Sequence, residues 1–450
     1  MAKRTLHEKR SHEEFLADQH RYLVPGVGLY YQDPLVLVEG TGTHVIDDRG
    51  TRYLDFFGGI LTVSIGHAHP AVAEAVSHQA RTLVHTSTEY ITEPMLDLAE
   101  RLASMTPDRL SQSFFTTSGT EANETAVALA QQATGASEII ALRHSYSGRS
   151  QLGMGLTGQA PWRQGFGALP IRHAMSPYCY RCPVKRTPDT CALECAEDLE
   201  ELIATSTNGR PAAFLAEPIQ GVGGFITPPA PYFEKAVGIV RRHGALFIDD
   251  EVQTGFGRTG HAFGISYYGV EPDIMTFAKG LANGLPIGAA ITTPDVGRHY
   301  RGPTISTFGG NPLSMRAALA TLDVIDQEHV IDNVRACGAE LRAGLEEISD
   351  RYPAVGDVRG RGLMQGMEMV RQEKAPAPDL AAEVMEGARD RGLLVGRGGL
   401  YGNTIRLAPP MTVPPGEIRE AVAILGDTLQ AVYGHHPELR TVTPTRVSVE

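Results

Sequence analysis

The chain has 450 residues, 42% of them hydrophobic, which is enough for one large or two moderate domains with real cores and too many for a disordered protein. Its formal net charge is -12, with Lys and Arg scattered rather than striped, which argues against capture by nucleic acid or an anionic membrane surface and leaves small molecules as the expected partners. No window approaches the roughly 18 uninterrupted apolar residues of a membrane span, and the charged opening MAKRTLHEKRSHEEF has no apolar signal-peptide centre, so a cytoplasmic protein is expected.

Along the chain, the two ends, MAKRTLHEKRSHEE and ELRTVTPTRVSVE, are polar enough to fray. HVIDDRGTRYLDF alternates around an Asp-Arg-Gly turn and predicts a hairpin. Short apolar runs then alternate with helix-length patterns: SFFT from Ser113, IIAL from Ile139, AFLAE from Ala213, ALFID from Ala245, IMTFA from Ile274 and IGAAIT from Ile287. Runs of this length bounded by turn residues read as buried parallel strands with helical crossovers, so the middle of the chain is an α/β domain. In PYFEKAVGIVRRHG, Phe233, Ala236, Val237 and Val240 share one helical face, a basic pair closes the last turn and Gly244 follows as a cap. NPLSMRAALATLDVI begins a long helix, and the last third mixes helices with two short strands near GLLV and TIRLAPP, which suggests a smaller α+β domain. The expected division is residues 1–65 as a segment contributing to the small domain, 66–325 as the large domain and 326–450 as the rest of the small domain.

In open α/β sheets ligands sit beyond the carboxyl ends of the strands, so the polar residues after each apolar run form one candidate site. Ser118, Gly119 and Thr120 open a helix whose Ala122, Ala126 and Leu129 share a face. Such a start suits a phosphate, and ordinary N-capping explains it equally well. Lys279 ends the run IMTFA, where desolvation would turn its amine into a nucleophile toward an aldehyde; a strand-end lysine reaching out to solvent is the plainer reading. Asp250 directly follows ALFID, and a carboxylate there could keep a pyridine nitrogen protonated. Phosphate cradle, amine and acid together describe pyridoxal phosphate, whose protonated ring acts as an electron sink.

The cysteines pose a separate question. Cys179, Cys182, Cys191 and Cys195 follow a C-x2-C-x8-C-x3-C spacing, while Cys337 stands alone in a helical pattern. A structural metal, disulfides and plain packing are all open readings, and no metal is assigned to the site itself.

SGTEANETA, YSGR, AEPIQGVGG, IDDEVQTGFGRTG, FAKGLANGLPIGA, STFGGNP and IRLAPP resemble, in order and spacing, the motifs of class III pyridoxal-phosphate-dependent aminotransferases, from about Gly40 to Pro410. The resemblance implies fold type I, a large cofactor-binding domain with a mostly parallel sheet plus a smaller α+β domain, assembled as a homodimer or a dimer of dimers. It implies that Lys279 forms the internal aldimine and carries the proton, that Asp250 pairs with the pyridinium nitrogen and that Gln253 bonds the phenolic oxygen. It further implies that Tyr146 stacks on the ring, that Glu217 organises the hydrogen bonds around Asp250 and Gln253, and that Ser118, Gly119 and Thr120 bind the phosphate together with Thr307 from the partner subunit. Arg406 falls where the family binds the substrate α-carboxylate, and Arg149 where some members bind a distal one; arginine's planar fork suits both. Val222 stands where ornithine- and 4-aminobutyrate-type members often carry a glutamate, which looks more like the alanine–glyoxylate branch, yet that branch often lacks the arginine equivalent to Arg149. The expected activity is transfer of an amino group from an ω- or β-amino acid, or alanine, to pyruvate, glyoxylate or 2-oxoglutarate. Racemase, aminomutase or decarboxylase chemistry on the same scaffold is the alternative, and a regulatory protein on an inactive scaffold is a third class.

Overall fold

The computed structural model describes residues 10–164 and 169–445. A seven-stranded sheet runs in the order Gln112–Thr116, Gly288–Thr292, Ile274–Ala278, Leu246–Asp250, Ala213–Ala216, Ile139–Leu142 and Ile171–Ala174. The last five are mutually parallel, as the apolar runs of the first four of them predict. Gly288–Thr292 is not: it lies antiparallel to both neighbours, which corrects the reading of IGAAIT as another parallel strand. The link 279–287 is shorter than the crossover of about a dozen residues that a parallel return requires. Ile171–Ala174 was not expected, because an edge strand reading IRHA offers no apolar run.

Alternate residues of the central strands feed two cores. Phe214, Phe247 and Phe277 pack with Phe233 and Val237 of the helix Tyr232–Arg242. Leu215, Ile248 and Ile274 pack on the opposite face with Ala126 and Val127 of the helix Gly119–Thr134. The period-2 pattern of side chains thus builds a helix–sheet–helix sandwich.

The predicted hairpin is formed by His44–Asp47 and Arg52–Asp55, flanked by Leu37–Thr41 on one side and by Leu393–Leu394, from far along the chain, on the other. A third sheet joins Val355–Arg361, Met364–Met369, Thr404–Leu407 and Gly396–Gly398. The last third therefore holds more than the two strands expected. Its first hairpin escaped because VGDVRGRGLMQGMEM is rich in glycine and charge, and the GLLV region divides between two sheets. The N-terminal stretch read as frayed also differs: Ser11 and Glu14 form a capping box that starts the helix His12–Tyr22, while residues 1–9 and 446–450 lie outside the described residues. Among the described residues no helix is long and apolar enough to cross a membrane.

A buried ionic cluster fastens the third sheet to the central one. Arg359 donates to Asp357 Oδ2 and Glu368 Oε2, both at 2.7 Å, to Thr404 Oγ1 at 3.1 Å and to the carbonyl of Gly224 at 2.8 Å. Arg181 and Tyr178 also donate to Glu368. Arg359→Ala would leave Asp357 and Glu368 short of their shared cation in a dry environment. A loss of about 3–5 kcal/mol in urea unfolding is expected, and a change under about 1 kcal/mol would contradict this role.

Candidate active site

Strand parity decides which acid reaches the site. Asp250 shares the face of Ile248, beneath the helix Gly119–Thr134, whereas Asp249 shares that of Phe247. Asp250 Oδ2 accepts from Asn123 Nδ2 at 2.8 Å, and Oδ1 accepts from Val252 N at 3.1 Å. Burial raises its carboxyl above the ordinary value, while these two donors and the Lys279 charge pull it back. Asp249 is buried on the other side, where desolvation and then the charge of Glu251 push it well above the usual carboxylate range. Glu251 accepts from Gly264 N at 2.9 Å and Ile265 N at 2.8 Å and so anchors a loop rather than facing the site.

Lys279 follows the neighbouring strand Ile274–Ala278 with φ of 44°, a left-handed conformation that few non-glycine residues adopt. Its side chain borders a cavity of about 120 Å³ that is also lined by Thr120, Tyr146, Glu217, Asp250 and Gln253. Lys279 is half-buried there. Desolvation pushes its ammonium down to about 8, against the opposing charges of Asp250 and Glu217. An amine so poised is a nucleophile near neutral pH.

The start of the helix Gly119–Thr134 meets the cavity through Gly119 and Thr120. Ser118 lies behind them as the N-cap, its Oγ accepting from Glu121 N at 3.3 Å. Gly148, with φ of 134°, lets the Tyr146-Ser147-Gly148 turn close on the cradle, since a Cβ there would lie 2.6 Å from Thr120 Oγ1. Glu217 accepts from Tyr146 N at 3.0 Å and Gly221 N at 2.8 Å. The hydrogen bonds around Asp250 therefore come from Asn123 and Val252 rather than from Glu217. Burial, and then the Asp250 charge, raise the Glu217 carboxyl.

Arg406 is buried, donating to the carbonyls of Gly221 at 3.4 Å and Arg397 at 2.9 Å, with its guanidinium 4.9 Å from the Phe57 ring and its Nε without a partner. Desolvation lowers its pKa, and the Tyr30 phenol and Glu217 oppose the shift. Arg149 is exposed beside Tyr146, whose phenol is raised by burial and partly restored by that cation. Thr307 is exposed and does not line this cavity. Among the described residues all five cysteines are free thiols, and no group of three or more His, Cys, Asp or Glu could hold a metal ion. Burial, together with the neighbouring thiols, pushes Cys179 and Cys195 up to about 12.

Asn123 and Thr276 were missed in the sequence, whereas Ser147 lies within the stretch His144 to Arg149 that follows the run IIAL and belongs to the expected site. Asn123 sits inside SGTEANETA one helical turn beyond Thr120, a spacing that puts it on the same face and was the one available signal. The donor set fits pyridoxal phosphate: a helix start for an anion, a carboxylate for a ring nitrogen and an amine for an aldehyde. Gln253 Oε1 and Ser147 Oγ, both buried without a partner, are polar positions bordering the same cavity.

Comparison with known proteins points the same way. Residues 30–429 match the family described as aminotransferase class-III. The chain is 40% identical to the Arabidopsis thaliana mitochondrial alanine–glyoxylate aminotransferase 2 homolog 2, over 89% of this chain and 84% of that one. It is 37% identical to the acetylornithine aminotransferase of Methanothermobacter thermautotrophicus, over 93% of this chain and 98% of that one. An amine transaminase from an uncultivated Pseudomonas species, solved in its pyridoxal-phosphate-bound internal aldimine form, superposes with a TM-score of 0.85 at 32% identity, covering 91% of this chain and 98% of that one.

Proposed function

The chain belongs to the class III aminotransferase family and is a pyridoxal-phosphate-dependent transaminase of fold type I, and on that premise we propose that it moves an amino group from alanine or an ω- or β-amino acid to a small 2-oxo acid. The site assignment rests on one observation: Lys279 and Asp250, from adjacent parallel strands, border one cavity at the start of the helix Gly119–Thr134. When bound, the cofactor supplies an aldehyde and a protonated ring that withdraws electrons from the substrate Cα.

In this reading the Lys279 amine holds the aldehyde carbon and, once released, moves the proton at the substrate Cα. Asp250 faces the ring nitrogen, Gln253 the phenolic oxygen and Tyr146 the ring face. Gly119 and Thr120 hold the phosphate by their position at the helix start, with Ser118 setting the helix cap and Thr307 of a second copy completing the cradle. Glu217, held by two backbone N–H groups, fixes the turn that carries Gly221. Borohydride reduction of the loaded protein should leave a phosphopyridoxyl group on Lys279 in peptide mass mapping. Capture of pyridoxal phosphate by the apo-protein should quicken as pH rises through about 8, because the amine must lose its proton first. Labelling elsewhere, or capture indifferent to pH across that range, would reject Lys279.

Arg406 is the proposed seat of the α-carboxylate, and Val222 supports a small acceptor. A valine cannot pair with Arg406 as a glutamate would, so the guanidinium stays available in both half-reactions, and pyruvate or glyoxylate is accepted with alanine as the reverse donor. Arg149, exposed beside Tyr146, would add a second carboxylate site and admit 2-oxoglutarate if it turns into the cavity. Arg149→Ala should therefore cut kcat/KM for 2-oxoglutarate roughly tenfold or more while sparing pyruvate, and Arg406→Ala should impair both. Equal losses for the two acceptors in Arg149→Ala would make that arginine structural.

The assembly is proposed to be a homodimer, or a dimer of dimers. Ile305 and Phe308, 62% and 59% exposed on either side of Thr307, are apolar groups that a second copy would cover. Light scattering should give at least a dimer, and an active monomer would overturn this arrangement. A cytoplasmic setting accords with five free thiols, and cell fractionation checks it.

A further inference from the structure

We propose that Asn123 and Thr276 form a positioning relay that holds the Asp250 carboxylate in register with the cofactor's ring nitrogen. The three side chains are buried, with exposures of 2%, 0% and 3%. Thr276 Oγ1 donates to Asn123 Oδ1 at 2.7 Å. Asn123 Nδ2 donates to Asp250 Oδ2 at 2.8 Å and to the carbonyl of Ser147 at 3.2 Å. An asparagine amide has two N–H donors and a carbonyl acceptor, and every one of these functions is engaged. Flipping the amide would set its oxygen against two acceptors, the Asp250 carboxylate and the Ser147 carbonyl, so the orientation is locked.

The relay joins parts that are distant in sequence. Asp250 and Thr276 face each other across a parallel ladder, Asn123 belongs to the helix that starts at the cradle, and Ser147 belongs to the turn that carries Tyr146. Cradle and acid are thereby fixed to one rigid helix, which sets the spacing between the phosphate and the ring nitrogen. With Val252 N on Oδ1 and Asn123 on Oδ2, each carboxylate oxygen has one protein donor. Both donors favour the ionised form that a protonated ring needs. Asn123 acts through Asp250 and is a positioning residue, and this inference rests on the proposed role of Asp250.

The test compares binding of pyridoxal phosphate with binding of its analogue carrying carbon in place of the ring nitrogen, by fluorescence titration of apo-protein. Wild type should prefer the natural cofactor, and Asp250→Asn should lose that preference. Asn123→Ala should weaken pyridoxal phosphate roughly ten- to hundredfold and leave the analogue within about twofold of wild type. Thr276→Val, nearly isosteric, should show a smaller loss of the same kind, and Thr276→Ser should restore it. Equal weakening of both ligands by Asn123→Ala, or no weakening of either, overturns the relay. A wild type that does not distinguish the two ligands, or an Asp250→Asn that still does, overturns the reading of Asp250 instead. Should Asn123→Ala fail to fold, Thr276→Val and Thr276→Ser decide by the same comparison.

Discussion

Removing charge from water at the ends of neighbouring strands is the constraint on which the rest of this structure depends. Asp250 and Glu217 are almost fully buried, and Lys279 is half-buried beside them at the same cavity. An isolated buried carboxylate or ammonium costs several kcal/mol and tends to neutralise. Here the groups are tolerable because each has partners: Asn123 and Val252 for Asp250, Tyr146 and Gly221 for Glu217, and the two acids for Lys279. Those partners come from turns and helices that have no other reason to meet, so satisfying the charges dictates how the loops close over the sheet.

The same logic separates the three consecutive acids of IDDEVQ. Asp250 faces the cavity, Glu251 takes the N–H groups of a loop, and burial with the neighbouring Glu251 charge pushes the Asp249 carboxyl well above its ordinary range. Had the register slipped by one residue, Asp249 would have faced the helix start and Asp250 the aromatic core of Phe233 and Phe247. The aromatic core on one face and the small alanines of the helix Gly119–Thr134 on the other make that slip costly, so the packing of the sandwich also protects the chemistry.

The third sheet brings Arg406 against Phe57 and Phe225, and the Arg359 cluster holds that sheet to the Gly224 turn. The proposed carboxylate seat and the contact between sheet and turn thus share a boundary. Gly221 sits on it: its carbonyl accepts from Arg406, its N–H serves Glu217, and a Cβ there would lie 2.3 Å from the Gln253 side chain. One turn therefore touches Arg406, Glu217 and Gln253 together.

Local chemistry settled what depends on neighbours in the chain. The six apolar runs became six strands, the hairpin formed around its Asp-Arg-Gly turn, and the helix after Ser118 began where its cap and alanine stripe place it. The ordered motifs likewise brought Lys279, Asp250, Thr120, Tyr146, Glu217 and Gln253 to one cavity. Tertiary structure decided what depends on partners distant in sequence. It placed Gly288–Thr292 between Gln112–Thr116 and Ile274–Ala278, sent Leu393–Leu394 to the N-terminal hairpin and gave Asp250 a donor from Asn123. Periodicity and capping are short-range and leave a trace in a window of residues. Which side chain satisfies a buried charge is a contact between segments more than a hundred positions apart, as between Asn123 and Asp250, and it exists only once the sheet has placed them together.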